Sequence, residues 1–279
     1  MPWIPRGVRD GIVTSRYPRQ EDGYVPNFRG TVVVKAAGAT NGQIEEVERA
    51  CPTQAISSDA GSPILDRGKC ILCGRCTQLL PEIFQFSPNF ETSTADRSLL
   101  VVPASEESER SVELVRDELA NRVKVLRRSI HIRHVDAGSD GAVEWEIAAL
   151  TNPVYDVQRL GVFFTASPRH ADVLLVTGVG AAGMIGPLQH TFDVMPSPKV
   201  VIAAGTDAIS GGLLRASYAS RSGVASSVPV DVFVPGSPPS PFGLLYGILL
   251  AVNLLTPRNS AAARSVVDPS SNKSRRVDP

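Results

Sequence analysis

The chain has 279 residues, 43% of them apolar and 20% charged, which suits one or two domains with a sizeable core. Its 28 Lys and Arg balance 28 Asp and Glu, so a nucleic-acid binder held mainly by electrostatics is excluded. The four cysteines, Cys51, Cys70, Cys73 and Cys76, crowd into 26 residues, which excludes a disulfide scaffold and points to one metal or cluster site in a reducing compartment.

Residues 1–30 are rich in Pro and Arg and read as irregular. The opening, MPWIPRGVRDGIV, lacks a charged segment followed by an apolar one, so no secretory signal is expected. Residues 31–102 hold the cysteines among turn signals. Over 105–128, Val112, Val115, Leu119, Val123 and Leu126 recur at helical spacing. Acidic residues (Glu106, Glu107, Glu109) open that segment and basic ones (Arg122, Lys124, Arg127, Arg128) close it, as the helix dipole favours. It reads as a linker helix between two domains.

Beyond it the rhythm is α/β. Strand-like runs occupy 129–135, 162–166, 172–177, 199–204 and 230–235. Helical stretches are expected around 144–150, 184–193, 211–219 and 241–255. Buried runs alternating with helices indicate an α/β fold with a mostly parallel sheet covered on both faces. The longest apolar run, 242–255, is too short to span a bilayer. The protein is expected to be cytoplasmic, reaching a membrane only through partner subunits on its cytoplasmic side. Residues 257–279 carry no apolar periodicity and read as a disordered tail.

Cys70-x-x-Cys73-x-x-Cys76 sets three thiolates on one tight loop, and Cys51 is followed by Pro52. This is half of the bacterial two-cluster ferredoxin pattern, in which the fourth cysteine of each run serves the other cluster. Cys51 therefore groups with Cys70, Cys73 and Cys76 around a single [4Fe–4S] cluster. The same spacing places a second ligand set at Asn41, Ile44, Val47 and Leu80, none of them cysteine. A structural zinc site on the same four thiols is the alternative.

Residues 1–90 resemble the ferredoxin-type subunit of formate hydrogenlyase and complex I, through the strings GIVTSRYP, NFRG, ACPTQAI and KCILCGRC. Residues 129–255 resemble the B-type subunit of complex I (NADH-quinone oxidoreductase) and the small subunit of membrane-bound [NiFe]-hydrogenases. The matching strings include RHVDAGS, EIAALTNPVYDVQRLGV, SPRHADVLLVTG and VPVDVFVPGSPPSP. The resemblance implies a flavodoxin-like α/β domain over 129–256, preceded by a small α+β ferredoxin-like [4Fe–4S] domain over 1–104. It also implies docking on a hydrogenase- or quinone-reductase-type large subunit. In such relatives four cysteines hold a further cluster; here the matching positions read Asp140, Val143, Asp207 and Ser237. The chain thus reads as an electron-transfer subunit with one cluster and a vacated second site, or as a redox-silent assembly or regulatory module with a structural cluster.

A competing signal is Gly178-x-Gly180-x-x-Gly183 after the run DVLLVT, the context of a dinucleotide fingerprint. It supports a third reading, a nucleotide-dependent reductase, although Asp207 is poorly placed for the ribose. His131, His134, His170 and His190 are scattered and read as packed or surface residues. Glu144 reads as a helix-surface or interface residue. Asp140 and Asp207 are expected to converge if the likeness to complex I holds, as two carboxylates able to share a proton or a divalent cation.

Overall fold

The computed structural model describes residues 3–18, 28–35, 38, 40–59, 61–103, 129–214 and 216–252. The linker helix expected over 105–128 and the tail expected from 257 lie outside the described residues.

The start of the chain departs from its irregular reading. Trp3–Asp10 form a helix, α1. Pro5 falls in its first turn, where backbone N–H groups have no helical partner to lose. No residue of α1 is buried, so no core-facing pattern marked it in the sequence.

The cysteine-bearing segment is built from short pieces. β1 (Thr31–Val34) pairs antiparallel with β4 (Phe84–Ser87). β3 (Ser62–Asp66) lies between β2 (Ile56–Asp59) and β5 (Val101–Val102), also antiparallel. Two helices, α2 (Asn41–Ala50) and α3 (Arg75–Leu79), complete it. The N–H of Thr40 donates to Gln43 Oε1 at 3.0 Å, which fixes where α2 begins. Val32, Val47, Ile56, Leu65 and Phe84 form its small core.

The second half is a five-stranded, wholly parallel sheet. Its strands are β6 (Ile130–Asp136), β7 (Val162–Phe164), β8 (Val173–Thr177), β9 (Val200–Ala204) and β10 (Val232–Val234). Their spatial order is β7-β6-β8-β9-β10, the 2-1-3-4-5 order of flavodoxin-like folds. β8 and β9 are buried at every residue, as central strands covered on both faces must be. Helices α4 (Ala142–Ala149) and α7 (Pro241–Ala251) cover one face, packing on Ile132, Leu175 and Ile202. Helices α5 (Ile185–Val194) and α6 (Thr206–Ser210) cover the other, packing on Val135, Leu174 and Val201. Among the described residues no helix is long and apolar enough to cross a membrane.

The helix expected over 211–219 does not form. The helical turn lies earlier, as α6, and stops at Gly211 (φ +83°) and Gly212 (φ +53°). Two successive left-handed residues end a helix, and glycine adopts them without a Cβ clash. A Cβ on Gly212 would lie 1.9 Å from Asp207 Oδ1, so this turn also accommodates that carboxylate.

The two halves are interlocked. Thr94 and Phe233 exchange backbone hydrogen bonds of 3.1 and 2.8 Å, extending the sheet edge beyond β10. Leu100 is fully buried in the α5/α6 core. Tyr17 is buried in the α4/α7 core, beside Phe90 and Phe242, and its hydroxyl donates to Glu91 at 2.9 Å.

Candidate functional site

Local backbone geometry gathers the four cysteines. Cys51 caps α2, its N–H donating to Val47 and Glu48 carbonyls, and Pro52 then ends any continuation. Gln54 adopts φ +52°, and the next N–H, that of Ala55, points back to Cys51 Sγ at 3.2 Å. The turn Asp66–Cys70 closes through Lys69 and Cys70 N–H bonds of 3.1 and 3.3 Å. Leu72 (φ +54°) and Gly74 (φ +77°) reverse the chain between Cys70 and Cys76, and Cys76 falls in the first turn of α3.

The four thiols line one apolar-walled pocket, partly open to solvent. Val32, Ala55, Ile56 and Leu65 form its walls. Burial pushes the Cys70 thiol up to about 12; Cys76, Cys51 and Cys73 add to the rise, and the Leu72 N–H opposes it. Burial likewise pushes Cys76 up to about 11, with Cys73 adding to it and the Thr77 N–H opposing. Backbone N–H groups therefore face the sulfurs of Cys51, Cys70 and Cys76. Sulfur side chains with N–H donors facing them in an apolar pocket are of the chemical type that soft metals prefer.

Hydrophobic packing takes up three of the four positions of the second ligand set read from the spacing. Ile44 and Val47 are buried, Leu80 packs on the same core, and Asn41 opens α2.

Asp140, Val143, Asp207 and Ser237 all fall at the carboxyl edge of the parallel sheet. Asp140 follows β6, Val143 lies in α4, Asp207 in α6 directly after β9, and Ser237 in the turn after β10. This edge, at the switch point between β6 and β8, is where open α/β sheets bind ligands. Val143 is buried and its Cγ2 lies 3.0 Å from where a Gly205 Cβ would sit. Asp140 and Asp207 do converge: burial, then the charges of Asp140 and Glu144, holds the Asp207 carboxyl above its ordinary range. Glu144 Oε1 accepts a short hydrogen bond from Thr177 Oγ1, while Oε2 is buried without a partner. His134 Nε2 lies 3.0 Å from Thr177 Oγ1 and 3.7 Å from Glu144 Oε1. Burial lowers the His134 pKa against the pull of Glu144 and Asp136. Thr177 gave no sequence signal, because it closes an apolar run like any strand residue. Among the described residues, the four cysteines included, no group of three or more His, Cys, Asp or Glu side chains already stands in a metal-holding arrangement.

The two sites touch, a contact with no mark in the sequence. Thr206 Oγ1, at the start of α6, donates to the Cys70 carbonyl at 3.0 Å. Arg67, Cys70 and Leu72 share a second, smaller cavity with Pro235 and Gly236 from the turn after β10.

The glycine loop after β8 has a packing role. A Cβ on Gly178 would meet the Gly138 backbone at 2.5 Å and the Ser139 N at 2.7 Å. The N–H groups of Val179, Ala181 and Ala182 donate to the carbonyls of Gly138, Ala137 and Ala219. A phosphate cradle needs such N–H groups free. The nucleotide reading is therefore corrected: these glycines let the loop after β8 lie against the loop after β6.

A flavodoxin-order α/β unit with ligand positions at its carboxyl edge defines the class. The family model described as NADH ubiquinone oxidoreductase, 20 Kd subunit, matches residues 141–251. The chain is 39% identical over 137 residues to the probable membrane-bound hydrogenase subunit mbhJ of Pyrococcus furiosus, covering 82% of that protein and 49% of this chain. It is 37% identical over 149 residues to formate hydrogenlyase subunit 7 of Escherichia coli, spanning 58% of that protein and 53% of this chain. A chain from the structure of the membrane-bound sulfane sulfur reductase, an archaeal respiratory membrane complex, shares 29% identity at a TM-score of 0.41, over 47% of this chain and 74% of that one. The chain belongs to the NADH ubiquinone oxidoreductase 20 Kd subunit family.

Proposed function

We propose that the chain is an iron–sulfur electron-transfer subunit of a complex I-like or group 4 hydrogenase-like complex. In this reading a single-cluster ferredoxin-like domain over 1–104 is fused to a family α/β domain over 129–256 that lacks its own cluster. Cys51, Cys70, Cys73 and Cys76 hold one [4Fe–4S] cluster, and the α/β unit docks on a hydrogenase- or quinone-reductase-type large subunit. The observation that carries the proposal is that all four thiols, from two separate stretches of chain, line one apolar-walled pocket.

When bound, such a cluster takes up and releases single electrons. The chain's own residues define its surroundings. Backbone N–H groups of Ala55, Leu72 and Thr77 face the cysteine sulfurs and stabilise their negative charge. Val32, Ile56 and Leu65 keep water from the inner wall, while Cys73 stays exposed at the open side. The Thr206–Cys70 bond fixes the cysteine loop against the carboxyl edge of the sheet.

The absence of cysteine at Asp140, Val143, Asp207 and Ser237 favours a second reading, in which the cluster is structural and the module redox-silent. Anaerobic purification followed by low-temperature EPR with dithionite separates the two. A reducible signal supports electron transfer; an iron-loaded protein that dithionite leaves unreduced supports the silent module.

A further inference from the structure

Arg67 lies three residues before Cys70, and its backbone N–H donates to the Leu100 carbonyl at 2.8 Å, which anchors the turn. Its side chain runs inward. Nε is buried and has no hydrogen-bond partner. Arg67 and Cys70 line one small cavity together with Pro235 and Gly236, next to the pocket of the four thiols and reaching it through Cys70. Burial disfavours the Arg67 charge, and proximity to Cys70 opposes this effect.

The nearby carboxylate is engaged elsewhere. Asp66 Oδ2 accepts from Arg97 at 2.7 Å and lies 3.9 Å from Lys69, and Asp66 Oδ1 accepts from the Gly68 N–H. Among the described residues no carboxylate lies within ion-pair distance of Arg67. A partly buried guanidinium with a buried, unpartnered nitrogen is costly unless an anion pairs with it.

We propose that Arg67 is the built-in counter-ion of the iron–sulfur centre on Cys51, Cys70, Cys73 and Cys76, and that its charge raises the centre's reduction potential. This rests on the cluster reading above. Four thiolates give such a centre net negative charge, and one-electron reduction adds one more negative charge beside Arg67. A fixed cation in a low-dielectric setting favours the more negative, reduced state. Arg67 acts here as a positioning residue, through the charge it presents to the cysteine loop.

The test uses the full chain, purified anaerobically as wild type, Arg67→Lys and Arg67→Gln. Iron and acid-labile sulfide are measured first, then the midpoint potential by EPR-monitored titration with dithionite and mediators. Equal iron contents are expected, with the Arg67→Gln midpoint shifted to more negative potential and Arg67→Lys close to wild type. An unshifted midpoint in fully loaded Arg67→Gln overturns the counter-ion role and leaves the cluster reading intact. A wild type without iron overturns both. If Arg67→Gln fails to load, urea unfolding of iron-free protein decides. Removing an uncompensated buried charge is expected to raise the iron-free midpoint above that of wild type, whereas a lowered midpoint shows a merely structural arginine and overturns the proposal.

Discussion

The hydroxyl of Thr206 donates to the backbone carbonyl of Cys70 across 3.0 Å, and this bond joins the two halves of the chain at their sites. Thr206 is fully buried and immediately precedes Asp207 at the carboxyl edge of the sheet. Its N–H is already committed to Gly236 O at 2.7 Å, so only the side chain reaches the cysteine loop. Thr206→Val keeps the shape and removes the donor. It is expected to destabilise the protein by about 1–2 kcal/mol in urea unfolding. A stability equal to wild type would show that the bond adds nothing net to the contact.

Two glycines of the apparent fingerprint, Gly178 and Gly183, are expected to separate by position. Gly178 has φ +82° and backbone atoms within 2.8 Å of its missing Cβ, whereas Gly183 has open space around it. Gly178→Ala is expected to cost about 2–4 kcal/mol through strain and backbone displacement. Gly183→Ala is expected to change stability by less than about 0.5 kcal/mol. Thermal or urea unfolding of both variants checks this. Equal effects would contradict the packing role.

The sequence made the sheet legible because a buried parallel strand leaves a plain record. DVLLVT and KVVIAA are apolar on both faces, and β8 and β9 lie inside them. The convergence of Asp140 and Asp207 followed from position alone, since both follow strands of one parallel sheet. What escaped was long-range or unpatterned. The α6 turn was displaced because Gly211 and Gly212 were read as part of a helix when they end one. α1 escaped because it buries nothing. The Thr206–Cys70 bond spans 136 residues, and no local signal reports such a contact. Arg67 carries no local signal either, since the burial of its Nε and its cavity shared with Cys70 exist only in the folded chain.

Asp207 gives a pH dependence with a definite sign. Its carboxyl titrates above its ordinary range through burial, then through Asp140 and Glu144. A carboxyl whose folded-state pKa lies above its unfolded value holds its proton more tightly in the fold. Its contribution is therefore most favourable below the ordinary carboxylate range and is lost as pH rises through the raised value. Asp207→Asn is expected to stabilise the protein at neutral pH by under about 1 kcal/mol, since the half-exposed group is screened by solvent. Unfolding curves at acid and neutral pH check it; a gain confined to acid pH would contradict the shift.

Gly68 sits where the cysteine turn meets α6. A Cβ there would lie 2.8 Å from the Arg97 guanidinium carbon and 2.9 Å from Ile209 Cγ2. Arg97 is long enough to move aside, but Ile209 belongs to the α5/α6 core. Gly68→Val is expected to cost about 1–3 kcal/mol by overpacking this junction. Differential scanning calorimetry reads it as a lowered Tm, and an unchanged Tm would contradict the tight junction.

The central claim is that Cys51, Cys70, Cys73 and Cys76 hold the chain's one [4Fe–4S] cluster. Iron and acid-labile sulfide analysis of the anaerobically purified full chain, beside Cys70→Ser, tests it most directly. The expected result is about four irons and four sulfides per chain in the wild type, falling sharply in Cys70→Ser. About eight irons would place a second cluster on this chain, zinc in place of iron would replace the centre altogether, and either result would contradict the claim.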